Sequence, residues 1–578
     1  MGLKGLKEGR PETDMVPTFI GLRGIKLNWA IGFAASAGFL LFGYDQGVLG
    51  SLYTLPSWVA QFPEIDTTQG SDATSNAATL QGLVTGVYEL GCFLGAISML
   101  YLGNLLGRRA NIWIGSIIMA IGTIGCTASY SLAQLFVFRV VLGIGNGMHT
   151  ATIPVWQSEC SPPHKRGMLI MVEGAMITGG IAMAYWIDLG CFFLDPSSAA
   201  WRVPIVLQMI LILPTFVTIY LPESPRWLML KGRVDDARNV VAALDNVPVD
   251  DPFVGKKLRE IEASLVAAKT TRISDLFTNG PERNLHRTVL GFVSQMFQQI
   301  SGINLITYYI GKTLQENLGF SDINSRILAA ANGTEYFIAS WAAVFFIEKM
   351  GRRPLMLGGA AGQCICMIVL AIMDVPSIKN GSTSPAVVSV VFYFLFNTSF
   401  AWGWLGMTWL YPAEITPLAI RAQANGISTS ANWIFNFLVV MVTPIMFESI
   451  GFRTYVVFAV LNFAILVTTF FIFPETAGRS LEEMSAIFAH SSKINPYDVV
   501  RKEKFTPRRY DKQGHLINED LDIVSDNNDI EKSLGGHKSG DHANLATPTS
   551  EGANSDEHTP PLDDLAHKCI INRCASCL

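Results

Sequence analysis

The chain has 578 residues, 50% of them hydrophobic and 15% charged, with a mean hydropathy of +0.33. Soluble domains carry about 25% charge, so the composition is that of a membrane protein and excludes an ordinary soluble enzyme or nucleic-acid binder. The net charge of −5 decides little, because in a membrane protein sign matters loop by loop.

The first 27 residues are polar and basic, and the apolar run that follows is long enough to stay as a span, so no cleavable leader is expected. A helix needs about 20 apolar residues to cross a bilayer. Twelve such runs are predicted, near 28–52, 80–102, 111–130, 132–156, 168–190, 201–221, 286–311, 327–348, 354–374, 385–411, 424–447 and 453–473. The first holds Phe42-Gly43-Tyr44-Asp45-Gln46-Gly47. An acid inside a span is costly and by default functional. The fourth run holds a single cation, Arg139, which an apolar bilayer would not tolerate alone, so Arg139 is the expected partner of Asp45. Glu89, Glu173, Asp188 and Glu335 are further acids in runs two, five and eight.

Lysine and arginine collect on one side: ahead of run one, then Arg108 and Arg109, Lys165 and Arg166, Arg352 and Arg353, and Arg421. The opposite loop 53–79 has acids and no cation. Both termini are therefore expected in the cytoplasm. The linker 229–284 alternates charged and apolar residues and reads as short amphipathic helices at that face. The polar stretch 490–578 reads as a disordered tail. Asn380-Gly381-Ser382 is a glycosylation triplet on a predicted outer loop, whereas Asn332 and Asn397 head triplets inside spans. The nine cysteines lack metal spacing and read as small hydrophobes. With no metal cluster, nucleophile elbow or phosphate loop, neither enzyme activity nor a cofactor is expected.

Three marks occur twice in the same order. Gly107-Arg108-Arg109 matches Gly351-Arg352-Arg353. Glu159-x-x-Pro162-x-x-x-Arg166 matches Glu414-x-x-Pro417-x-x-x-Arg421, and Pro222-Glu223-Ser224 matches Pro474-Glu475-Thr476. A six-span unit has been duplicated in parallel, a transporter architecture with its site between the halves near the bilayer midplane. The organisation expected is 28–228 and 285–489 as the two halves, flanking the linker.

With Pro222-Glu-Ser-Pro-Arg226-Trp227, Gln298-Gln299-x-Ser-Gly-x-Asn304 and Pro474-Glu-Thr-Ala-Gly-Arg479, these marks resemble the sugar porter family of the major facilitator superfamily. Tyr88-Glu-Leu-Gly-Cys92 and Ala184-Tyr-Trp-Ile-Asp188 are similar to fungal members that carry glycerol or hexoses with protons. The resemblance implies an all-α membrane protein, twelve helices in two pseudo-symmetric halves, lying in the plasma membrane and functional as a monomer. It implies proton coupling through Asp45 and Arg139, since passive glucose facilitators carry Asn at the acid position. It implies substrate contacts from Gln298, Gln299, Asn304, Tyr308, Trp409, Asn432 and Trp433, whose amides and flat rings suit a neutral sugar. A cytoplasmic gate is implied from Arg108, Arg109, Glu159, Arg166, Glu223, Arg226, Arg352, Arg353, Glu414, Arg421 and Glu475. The family's two glutamines of run five fall here at Gly174 and Gly180, and Trp156 replaces a usual tyrosine. The expected activity is proton-coupled import of a hexose or pentose. A glycerol or polyol symporter, a passive facilitator and a sugar sensor are the alternatives.

Overall fold

The computed structural model describes residues 16–67, 76–161, 166–269, 273–280, 282–375, 384–417, 419–479 and 481–507. Twelve spans run in order through these residues. The first half comprises Gly24–Gly47, Ala77–Leu106, Arg108–Thr127, Leu132–Cys160, Arg166–Phe192 and Ala199–Ile212, the last continuing as a tighter helix to Ile219. The second comprises a seventh span in two pieces, Asn284–Ile300 and Ile303–Lys312, then Asp322–Met350 and Arg352–Met373. A tenth span follows, made of Ser384–Phe400, a π turn Ala401–Leu405 and Met407–Ile415, before Arg421–Ile450 and Arg453–Ile472. No strand occurs among the described residues.

Ten of these helices are long and apolar enough to cross a membrane as continuous stretches. The seventh and eighth are not, for different reasons. Gly302 takes φ +94, a conformation open to glycine, and divides the seventh span there. The eighth carries Arg326 and Glu335 within its length.

Small residues let the spans approach closely. The second and fourth cross where Gly91 and Gly143 meet backbone to backbone, and the first and fifth cross at Gly43 and Gly180. The halves meet along two seams. The second span lies on the eleventh, with Gly82 against Met441, and the fifth lies on the eighth, where the hydroxyls of Thr178 and Ser340 are 2.8 Å apart. Asn332 and Asn397, the two in-span triplet asparagines, are buried and joined at 2.7 Å between the eighth and tenth spans.

A short helix Pro225–Leu230 leads into the linker, which forms helices Val234–Asp245 and Pro252–Lys269, as its alternation predicts. Val240, Val241 and Leu244 are buried, and Asn28 at the start of the first span donates to the Leu244 carbonyl at 3.2 Å. One expectation needs correction: the polar tail does not begin at 490 as an unstructured stretch. A helix at Leu481–His490 is followed by another at Tyr497–Phe505. Val499 and Val500 give the latter an apolar edge that is buried, Tyr497 packs on Phe471 at 5.8 Å, and Arg479 pairs with Glu503 at 3.2 Å. Residues 508–578, the glycosylation triplet at Asn380 and the Arg166 side chain lie outside what is described.

Candidate functional site

The duplicated marks build one end of the bundle, here called the linker end. The two copies share their main bonds. Gly107 and Gly351 both take φ +93, each turning the chain into the helix that follows. The Glu223 carboxylate accepts the backbone N–H groups of Arg108 at 3.0 Å and Arg109 at 3.1 Å. Glu475 does the same for Arg352 at 2.9 Å and Arg353 at 3.1 Å. A carboxylate on a helix N-terminus is favourably placed. Burial pushes the Glu223 carboxyl up, while the N–H groups of Ser224, Arg109 and Arg108 pull it down. The arginine side chains go elsewhere. Arg108 pairs with Glu159 at 3.0 Å and Arg352 with Glu414 at 2.9 Å. Arg109 donates to the Thr218 carbonyl at 3.1 Å and Arg353 to the Phe470 carbonyl at 2.6 Å. Trp156 stands three residues before Glu159, as Tyr411 stands before Glu414; the indole N–H donates to the Pro222 carbonyl at 3.0 Å and the phenol to Pro474 at 3.1 Å. The tryptophan thus keeps the bond that a tyrosine would make. Each cluster lies within one half. Arg226 opens the helix Pro225–Leu230, and Arg421 folds back onto the Thr416 carbonyl at 2.9 Å.

Midway along the bundle the halves enclose a cavity of about 30 Å³, room for little more than a water. Gln298, Gln299, Asn304, Trp409 and Asn432 all line it. Their amides already satisfy one another. Asn432 donates to Gln298 and to Gln295 at 2.6 Å each. Asn304 donates to Gln299 at 2.5 Å and to Asn436 at 2.7 Å. The break at Gly302 is what lets Asn304 turn back onto Gln299. Gln298 donates to the Trp404 and Leu405 carbonyls in the π turn, at 3.2 and 3.0 Å.

The first half faces this cavity with Phe42, Gln46, Ile177 and Ile181. Its wall is therefore mostly apolar, and the polar wall belongs to the second half. Two expected contacts lie off the cavity. Trp433 is fully buried and packs edge-on against Phe42 at 5.2 Å across the halves. Tyr308 points away and donates to Glu89. Trp409 packs edge-on on Phe39 at 6.3 Å. It also lines a cleft of about 170 Å³ at the linker end with Gln295, Arg108 and Asn425. At the far end Tyr53 and Tyr309 stack at 6.2 Å, and Tyr309 donates to the Val440 carbonyl at 3.0 Å. An aromatic partition thus stands on each side of the cavity.

Asp45 is buried without any exposure, and Arg139 is 2% exposed. They are not a direct ion pair, and here the expectation is corrected. Tyr88 stands between them. Its hydroxyl donates to Asp45 Oδ2 at 3.3 Å, and the Arg139 guanidinium lies 4.6 Å from the centre of its ring. Arg139 donates to the Val84 and Thr85 carbonyls at 3.3 and 3.5 Å. Asp45 Oδ1 has no partner. The sequence showed both charges, yet the aromatic between them belongs to a third helix that spacing does not place.

The comparisons with known proteins agree with this architecture. A family model described as "Sugar (and other) transporter" matches residues 31–488. The chain belongs to the sugar porter family of the major facilitator superfamily. It is similar to the MFS-type transporter oryC of Aspergillus oryzae, at 39% identity over 87% of this chain and 93% of that protein. The sugar transporter STL1 of Saccharomyces cerevisiae is 39% identical over 81% of this chain and 82% of STL1. A structure titled as the proton:xylose symporter XylE bound to 6-bromo-6-deoxy-D-glucose superposes with a TM-score of 0.68. It is 24% identical and covers 80% of this chain and 99% of XylE. This sugar porter is a multi-pass membrane transporter.

Sequence reasoning missed Gln295 and Asn436, which complete the amide network, and Ile177 and Ile181, which make the cavity wall of the first half apolar. The amides stand at helical spacings from Gln299 and Asn432, a signal that points to them. The isoleucines lie among equally apolar neighbours and carry no such mark.

Proposed function

We propose that this sugar porter carries a neutral sugar, hexose or pentose, into the cell together with a proton, by rocking of its halves. The observation that carries the reading is Asp45: a fully buried carboxylate with Oδ1 unpartnered and Oδ2 held only by Tyr88. An ionised carboxylate so placed is costly, and taking a proton relieves the cost. The excess of arginines at the linker end supports a cytoplasmic orientation of that end. With about 100 mV worth roughly 2.3 kcal/mol per charge and one pH unit worth about 1.4 kcal/mol, one proton supports roughly several hundred-fold accumulation. The substrate meets Gln298, Gln299, Asn304, Asn432 and Trp409, exchanging its hydroxyls for bonds the amides make among themselves. The arginine and glutamate clusters at the linker end act as the cytoplasmic gate, and the site of action is the plasma membrane.

A second reading has an observation in its favour. The cavity is narrow and Ile177 and Ile181 offer its substrate no hydrogen bond, which suits glycerol or another small polyol. Uptake of labelled glucose, xylose, galactose and glycerol in cells lacking their own transporters separates the two. The proton reading fails if accumulation survives a protonophore or if Asp45→Asn still concentrates substrate.

A further inference from the structure

Glu89 lies in the second span beside Tyr88, fully buried. Its Oε1 accepts the Tyr308 hydroxyl, which comes from the second half, and its Oε2 has no partner. The other titratable groups facing it are Arg139 from the fourth span, Asp45 from the first, Tyr309 beside Tyr308, and Cys92 one turn on. Tyr53 reaches Thr85, and Lys312 meets Gln81 farther along at 2.6 Å. The eleventh span, packed on this face through Phe437, carries no ionisable residue between Gln423 and Phe447. Asp45 hangs from Tyr88 within the first half, so the carboxylate of this cluster whose hydrogen bond crosses between the halves is Glu89.

We propose that Glu89 is a second proton-binding group of this transporter, and that its bond to Tyr308 ties the proton to closure of the far end. With the far end shut, the Tyr308 hydroxyl stabilises the Glu89 carboxylate. When the far end opens, the seventh and second spans part there and that bond is lost. A carboxylate with neither oxygen satisfied then takes up a proton from the side it faces. Reclosure returns Tyr308 to Oε1, and the proton is released toward the linker end. Glu89 so links proton uptake to a movement between halves, which Asp45 by its own contacts does not.

This inference rests on the proton-coupled reading, and its test separates the two. The full chain in proteoliposomes is assayed with labelled xylose, glucose and glycerol, for proton-driven accumulation and for exchange across equal concentrations. Glu89→Gln is expected to reduce accumulation at least 10-fold more than exchange, and to flatten the pH profile of uptake. Tyr308→Phe, which leaves the carboxylate in place, is expected to move that profile toward higher pH. If Glu89→Gln loses accumulation and exchange in equal measure and Tyr308→Phe leaves the profile unmoved, the role is structural and the proposal is overturned. Concentrative uptake by Glu89→Gln with the normal profile overturns it as well. If wild-type accumulation ignores a protonophore, the proton reading itself falls. If wild type is proton-driven and Asp45→Asn abolishes accumulation while Glu89→Gln does not, only the inference falls.

Discussion

At the scale of single residues, the proposed function divides the site into groups that bind and groups that titrate. Asp45 has one oxygen with a partner and one without. Asp45→Asn keeps the shape and removes the titration. It is expected to exchange labelled sugar across the membrane while failing to concentrate it, and its uptake is expected to be flat where wild-type uptake rises as outside pH falls. Counterflow and net uptake on the same vesicles check this. Asn432 holds Gln295 and Gln298 together with two bonds of 2.6 Å. Asn432→Ala removes one of the proposed substrate contacts and loosens two others. A net hydrogen bond is worth about 1 kcal/mol, so KM is expected to rise about 10-fold with little change in the amount of folded protein. Initial rates at graded substrate concentration measure it. Trp433, by contrast, packs on Phe42 rather than the cavity. Its replacement by Phe is expected to alter rate before affinity.

At the scale of elements, the seventh span matters most. Its break at Gly302 joins two pieces and turns Asn304 onto Gln299. A Cβ at Gly302 would stand 2.8 Å from the Phe458 ring, on a backbone with φ +94. The left-handed conformation alone costs a non-glycine residue about 1–2 kcal/mol. Gly302→Ala is therefore expected to lower the melting temperature in detergent and to abolish high-affinity binding together. A melt that stays at the wild-type temperature counts against the strained turn. The periodicity of this span reads as one helix in the sequence, because apolar runs on both sides of a glycine look continuous. The linker helices were legible for the opposite reason: their charged and apolar residues alternate at a helical period. The helix Tyr497–Phe505 was not, since two adjacent valines in a polar stretch make no periodic pattern, and only the surface beneath them makes it a docking edge.

At the scale of the whole molecule, the far end carries a set of hydrogen bonds across the halves among the described residues. Arg326 of the eighth span donates to the Ser51 carbonyl at 2.5 Å and to Thr54 at 2.9 Å in the first half. Tyr185 donates to the Thr307 carbonyl, and Tyr53 stacks on Tyr309. The ion pairs of the linker end, Arg108 with Glu159 and Arg352 with Glu414, stay within their halves. Bonds to a charged donor are worth about 1.5–3 kcal/mol each. Arg326→Ala, which removes both bonds, is therefore expected to favour opening at the far end by about 100-fold or more. A cysteine placed at Thr85, behind the tyrosine seal, would then react correspondingly faster with a membrane-impermeant maleimide in whole cells. An unchanged rate would show that Arg326 does not hold that end.

The sequence by itself determined the family, the twelve spans, the duplicated halves and the buried charges. Those follow from local composition, from the cost of polar groups in a bilayer and from motifs that repeat in order. Five of the seven expected substrate residues line the cavity, four of them amides, which inside an apolar run have few other uses. Only the tertiary structure decided which polar groups meet. Tyr88 stands between Asp45 and Arg139, Glu89 reaches Tyr308 in the other half, and Glu223 and Glu475 hold backbone rather than arginine side chains. These partners lie on different helices, and their meeting depends on how each span is rotated and crossed. Close packing of small residues sets those rotations, and a one-dimensional pattern does not record them.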